Sequence, residues 1–254
     1  MGDSSFFIHD KAKQSQRIEE KQNIVLGFLA HEMFSTSEIL GQLLGLSRTA
    51  TFKTLKSMEK QDLVRLHHIE YELAQRGKQT IWGVTSKGAL LATDPDNFQI
   101  DFYEAGRIAA STMAHSLAIQ RVKVVGLTKG WTDWISSRKL KQIAAREKIK
   151  WKQVPDALAT SLDGKIIAFE VEKTVKTPKR YQVILSNYAK MFLDQTVDQV
   201  FYICPENIVK RLERLFSNID TLVVDGKSYP VHENILKRIQ FLSYEDWKEL
   251  NEIK

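Results

Sequence analysis

The sequence predicts an α/β (α+β) protein of two domains. Three features lead there: a basic helix that follows a Gly-stopped helix and precedes two short strands, a polar Thr93-Asp94-Pro95-Asp96-Asn97 stretch, and a second half in which apolar strand-like runs alternate with helical segments. The chain has 254 residues and a net charge of +6. That length suits two modest domains, and the basic excess favours a polyanionic partner.

Residues 1–17 are polar and charged and read as a flexible arm, neither a signal peptide nor a membrane span. No apolar run is long enough to cross a bilayer, so membrane insertion is not expected. The single cysteine, Cys204, lies in an apolar run and reads as a buried strand residue. One cysteine allows no intrachain disulfide, which fits a reducing, cytoplasmic setting.

Residues 18–95 form the first expected domain. Ile24, Leu26, Phe28 and Leu29 mark a helix from about Ile18 to Phe34. Ser35-Thr36-Ser37-Glu38 starts a second helix, with a hydroxyl cap and an acid in its first turn, and Gly45 stops it. Ser47 opens a third helix running to about Lys60. On it Thr49, Lys53, Lys56 and Lys60 share one face, while Phe52, Leu55 and Met58 are expected to pack inward. Strands follow at Asp62–Leu66 and Thr80–Val84, with Gln75-Arg76-Gly77-Lys78-Gln79 as a basic turn between them. Thr85–Leu90 reads as a short closing helix. That order is the winged helix-turn-helix pattern. Arg48, Thr49, Lys53, Lys56, Lys60, Arg76 and Lys78 are the expected DNA-binding residues, with Arg48, Thr49 or Lys53 placed to read base edges.

Residues 96–254 form the second domain. Ala105 to Val125 reads as an amphipathic helix carrying His115, a structural histidine by default. Trp131, Trp134 and Trp151 read as core or rim aromatics. A basic run from Arg138 to Lys150 comes next. Then Pro155-Asp156 precedes one apolar stretch, Asp163-Gly164 makes a hairpin turn, and a second stretch ends in Glu170-Val171-Glu172. The hairpin brings Asp156 near Glu170, and alternation puts Ile166, Ala168, Glu170 and Glu172 on one face. Converging carboxylates repel one another and suit a hard divalent cation, Mg²⁺ or Mn²⁺. Asp156, Glu170 and Glu172 are therefore the expected metal ligands. Thr177-Pro178 opens a helix through Ile184, Leu185, Tyr188 and Phe192, and Lys176 and Arg180 can point back toward Glu170. Strands at Val200–Cys204, Thr221–Val224 and Ile239–Leu242, a helix around Glu206–Phe216 and a terminal helix from Ser243 complete an α/β core with mixed pairing.

Pro155-Asp156, Glu170-Val171-Glu172 and the basic patch after them resemble the PD-(D/E)xK restriction-endonuclease-like superfamily. Glu172 stands where that pattern usually has a lysine. Lys176 is the first candidate for the missing base, with Lys179 and Lys173 behind it. Together with the winged helix, the His-bearing helix and Lys173-Thr174 and Arg180-Tyr181, the order over residues 18–245 resembles the MobC-type plasmid relaxases and the replication–relaxation proteins.

The resemblance implies a restriction-endonuclease-like second domain and a metal-dependent DNA endonuclease. It would nick one strand at the transfer origin of a plasmid or mobile element and so start conjugative mobilisation. Asp156, Glu170, Glu172 and Lys176 would be the catalytic set. Tyr181 and Tyr188 are within reach of the role of covalent nucleophile, the alternative being water. The partners implied are double-stranded DNA with a locally single-stranded nick region, a conjugative coupling protein and accessory proteins. A sequence-specific replication or transcription regulator with an inactive nuclease-like domain is the competing expectation, and a transposon or repair endonuclease is a third.

Overall fold

Three cap residues set the frame of the N-terminal half. Thr36 accepts a hydrogen bond from the Ile39 N–H, Gly45 takes the left-handed conformation at φ 62°, and Ser47 accepts from the Ala50 N–H. They delimit helices α2 (Ser37–Leu44) and α3 (Arg48–Lys60). The structure is a computed structural model that describes residues 11–69, 79–92 and 101–250.

Helix α1 (Lys11–Glu32) precedes this pair and begins well inside the expected arm. Strands β1 (Phe34–Ser35), β2 (Val64–Ile69) and β3 (Gln79–Val84) form an antiparallel sheet in the order β1-β3-β2, and α4 (Ser86–Ala92) follows. Val25, Leu29, Ile39, Leu40, Leu55, Met58 and Trp82 are buried in the core of this unit. Trp82 donates its indole N–H to Ser37 Oγ at 2.8 Å, which ties β3 to the start of α2. The close approach of α4 to Leu63 requires Gly88, where a Cβ would stand 2.1 Å from the Leu63 carbonyl oxygen.

The chain divides into two compact units, residues 1–120 and 121–254, later than the boundary expected at residues 95–96. The packing gives the reason. Tyr103 is buried against the Phe34 and His67 rings and donates its N–H to the Val84 carbonyl. Gln120, on α5 (Ala110–Thr128), donates its amide to the Phe34 carbonyl at 2.8 Å. The polar stretch around Pro95 lies outside the described residues.

The second unit is built on strands β4 (Thr132–Ser136), β5 (Ala157–Thr160), β6 (Ile166–Val171), β7 (Gln199–Cys204) and β10 (Ile239–Ser243), in the sheet order β10-β7-β6-β5-β4. β4, β5 and β6 pair antiparallel, while β6–β7 and β7–β10 pair parallel. Helix α6 (Ser137–Glu147) follows β4, α7 (Pro178–Leu193) joins β6 to β7, and α8 (Glu206–Ser217) follows β7. A separate hairpin, β8 (Thr221–Val224) with β9 (Lys227–Pro230), precedes the short α9 (Glu233–Leu236), and α10 (Tyr244–Glu249) closes the unit.

Strand alternation gives the sheet two apolar faces. Leu158, Ala168, Val200 and Tyr202 pack with Tyr181, Leu185 and Tyr188 of α7 and with Leu212 and Phe216 of α8. Phe169 and Phe201 point the other way, into a cluster with Trp131 and Trp247. β4 and β9 had no sequence signal. β4 contains three acid-or-hydroxyl positions and a register shift against β5, and β9 is exposed throughout.

Leu185 is fully buried at the centre of the first of these faces. Leu185→Ala is expected to cost about 2–5 kcal/mol, from lost transfer energy and the cavity left behind. Urea unfolding followed through the second unit checks it, and a loss well under about 1 kcal/mol would contradict this packing.

Candidate catalytic site

The hairpin expected from Asp163-Gly164 is present: Gly164 adopts φ 80°, and the register pairs Ala157 with Phe169. That register fixes Asp156 at the end of β6. Its N–H donates to the Phe169 carbonyl at 3.0 Å, and its Oδ2 accepts the Val171 N–H at 2.8 Å. Its own carbonyl accepts the Ser137 N–H at the start of α6. Asp156 is thus held by both backbone and side chain.

Glu170 lies across from it on the face shared with Ala168, and is 6% exposed. Its Oε1 accepts two hydrogen bonds, from the Tyr188 hydroxyl at 2.6 Å and from Gln153 Nε2 at 3.0 Å. Burial, with the charge of Asp156 behind it, raises the Glu170 carboxyl to about 7. Tyr188, Gln153 and Lys176 act in the opposite direction without cancelling it.

Glu172 is 5% exposed, and the Lys176 ammonium binds its Oε1. Burial lowers the Lys176 pKa, and the nearby charges of Glu170 and Asp156 oppose that shift. Three of the expected catalytic groups, Asp156, Glu170 and Lys176, therefore share one electrostatic neighbourhood, while Glu172 is turned onto the lysine. Among the described residues no group of three or more His, Cys, Asp or Glu side chains is placed to hold a metal ion. The expected three-carboxylate ligand set is accordingly not assembled here; Asp156 and Glu170 are the pair brought close.

Tyr181 is fully buried, its ring packs on Phe216, and its hydroxyl accepts the Lys176 N–H at 3.1 Å. A covalent nucleophile has to reach the phosphorus, and this hydroxyl instead braces the turn before α7. Burial raises its pKa, which further weakens it as a nucleophile. Lys173 and Lys179 are exposed. Lys176 is bonded to the acidic set through Glu172.

Sequence reasoning did not mark Gln153 or Tyr202 as site residues. Gln153 sits in an irregular segment, with no period to assign it a direction. Tyr202 is opposite Glu170 in the β6–β7 register and fully buried. That pairing could be found only once the parallel partner of β6 was known.

On α3 of the first unit, Arg48, Thr49, Lys53 and Lys60 are exposed as expected. Lys56 is partly drawn into an ion pair with Glu59 at 2.6 Å and lies over the Phe52 and Trp82 rings. Phe52 is not packed inward but is 45% exposed, and Thr51 is fully buried in its place. Thr51, Leu55 and Met58 follow the i, i+4, i+7 spacing of the buried stripe, and Phe52 falls one step off it. Arg76 and Lys78 lie outside the described residues.

A family model described as Replication-relaxation matches residues 26–201, more than half of the chain. The chain belongs to the replication-relaxation family. The matched span runs from α1 to β7 and contains Asp156, Glu170, Glu172, Lys176 and Tyr188. No curated protein matches. Among solved structures, a mutant of Lactococcus lactis ZitR in its apo form is similar at 17% identity over 54% of this chain and 83% of that one, with a TM-score of 0.25.

The raised Glu170 carboxyl makes stability depend on pH. Because the folded value lies above the ordinary 4.5, folding favours the protonated form. That contribution is fully present below pH 4.5 and is lost as pH rises through about 7. Glu170→Gln removes the titration. The melting temperature of the wild type should fall relative to this variant by at least roughly 2–4 °C between those limits, about 1 kcal/mol in a chain of this size. A difference in melting temperature that is constant with pH would contradict the burial assigned to Glu170.

Proposed function

We propose that this chain is a site- and strand-specific DNA nicking endonuclease, a relaxase that acts at the transfer origin of a plasmid or mobile element. The observation that carries the reading is the pairing of Asp156 with Glu170 at the end of β6, with Lys176 beside them. Membership of the replication-relaxation family supports it. On this reading the second unit is a restriction-endonuclease-like nuclease, and the first is a winged helix that finds duplex sequence.

The donor set suits a hard divalent cation. Burial raises the Glu170 carboxyl and the charge of Asp156 adds to that, and an oxygen-seeking ion between the two carboxylates would relieve their repulsion. Asp156 and Glu170 would hold Mg²⁺ or Mn²⁺. Such an ion, when bound, polarises a phosphoryl oxygen and lowers the pKa of water. The chain's own residues do the rest. Asp156 is fixed by the Val171 N–H, so its carboxylate is pre-set against β6. Lys176 can exchange its bond to Glu172 for a phosphate oxygen and stabilise charge building up during cleavage. Glu172, released from Lys176, then becomes an acceptor for a proton. The burial of Tyr181 favours water over tyrosine as the nucleophile.

In the first unit, exposed Arg48, Thr49, Lys53 and Lys60 form a face suited to phosphates and base edges in the major groove. Duplex DNA with a locally single-stranded nick region is the substrate proposed. A coupling protein and accessory proteins would act with it in mobilisation.

One observation favours a second reading. Glu172 occupies the place where the restriction-like pattern usually has its lysine, and its charge is spent on Lys176. A DNA-binding replication or transcription regulator with an inactive nuclease-like domain would tolerate that arrangement.

Supercoiled plasmid carrying the gene's own neighbourhood separates the readings. Wild type with Mg²⁺ or Mn²⁺ is expected to give open circles, and EDTA or Asp156→Ala is expected to lower the rate by at least about 100-fold. Sequence-specific binding with no nick under either metal would select the regulator. Linear product would instead indicate a double-strand endonuclease.

Lys53→Ala tests the first unit. It should weaken duplex binding and reduce the slope of log affinity against log salt by about 1 if Lys53 contacts a phosphate. An unchanged slope and affinity, measured by fluorescence anisotropy, would remove α3 from the interface.

A further inference from the structure

Two side chains outside the acidic set converge on one oxygen of Glu170. Tyr188 reaches Oε1 from α7, and Gln153 reaches it from the segment before β5. Tyr188 is fully buried, and its ring stacks with Phe192, so its hydroxyl is delivered from a fixed position. The two donors take up the acceptor capacity of Oε1, since a carboxylate oxygen offers about two lone-pair sites. Neither bond uses Oε2. Glu170 is therefore held in one orientation with one oxygen still able to serve as a ligand.

We propose that Tyr188 and Gln153 are positioning residues for a divalent cation: by clamping Oε1 they present Oε2 of Glu170 toward Asp156. The inference rests on the nuclease reading of this site and assigns its ligand geometry to particular residues. Groups that orient a metal ligand commonly control affinity for the metal as strongly as the ligand does. The clamp has a second effect. It confines a side chain that would otherwise have to lose rotamer freedom when the ion binds. The Tyr202 hydroxyl, buried in register with Glu170 and without a hydrogen-bond partner in the structure, adds a polar group to the same neighbourhood. Satisfying a buried carboxylate would by itself need only a donor. Two donors on one oxygen, arriving from separate elements, also fix its direction.

The test is Mn²⁺ titration of the full chain, followed by electron paramagnetic resonance of the free ion, with thermal melts of every protein in the same buffer. Wild type, Asp156→Ala, Tyr188→Phe and Gln153→Leu are compared, and nicking is assayed in parallel. Asp156→Ala is expected to lose Mn²⁺ binding. Tyr188→Phe and Gln153→Leu are expected to remain folded at the assay temperature and to bind Mn²⁺ about 10–100-fold more weakly. In nicking, that loss should show as a higher metal requirement with a smaller change in the plateau rate at saturating metal. Should Tyr188→Phe fail to fold, Gln153→Leu gives the same reading, because Gln153 is only partly buried.

Folded variants that bind Mn²⁺ as the wild type does would overturn the clamp and leave the nuclease reading in place. A wild type that binds no Mn²⁺ would overturn both. Clamp-dependent binding without any nick would uphold the clamp and overturn the endonuclease reading.

Discussion

The β5–β6 register is the constraint on which the second unit depends. It sets Asp156 opposite the end of β6 and ties it there through its N–H and its carboxylate. A slip of one residue would send Glu170 to the face now held by Phe169 and place a carboxylate among Trp131, Trp134 and Trp247. The parallel β6–β7 register then places Tyr202, rather than Phe201, beside Glu170. One hairpin thus aligns the apolar faces and the acidic groups together.

Burying two glutamates at the end of one strand is costly, and the surrounding residues show how the cost is met. Glu172 gains a cation from Lys176. Glu170 gains two hydrogen bonds, and its carboxyl still rises to about 7. A site built only for stability would have an apolar residue here, since a well-packed hydrophobic replacement is often at least as stable as a buried charge. Two buried acids beside a lysine whose own pKa is lowered by burial are a cluster of perturbed groups of the kind the proposed site needs. The replication-relaxation family match extends over all of these residues.

Much of this was readable in the sequence, for local reasons. Thr36, Gly45, Ser47 and Pro178 mark helix ends by their own chemistry, and each lies at or beside the boundary it implied. The Asp163-Gly164 turn and strand alternation were enough to bring Asp156 to Glu170. The misses came from non-local packing. Phe52 was assigned inward because it is apolar, yet the stripe is completed by Thr51. The boundary between the units was placed at a proline, whereas Tyr103 and Gln120 bind the chain that follows back to Phe34. Gln153 and Tyr202 carry no periodic signal that points to Glu170. Glu172 was read as a ligand from alternation alone, which could not reveal that Lys176 takes its carboxylate.

On the proposed nuclease reading Asp156 and Glu170 form one cation-binding pair, with burial keeping the Glu170 carboxyl raised until the ion arrives. Carbon-13 NMR of the Glu170 carboxyl, titrated with and without Mg²⁺, tests it directly. A midpoint near 7 is expected without metal. With saturating Mg²⁺ the midpoint should move down by at least about 1 unit, because the ion favours the ionised form. The same midpoint in both titrations would contradict the account.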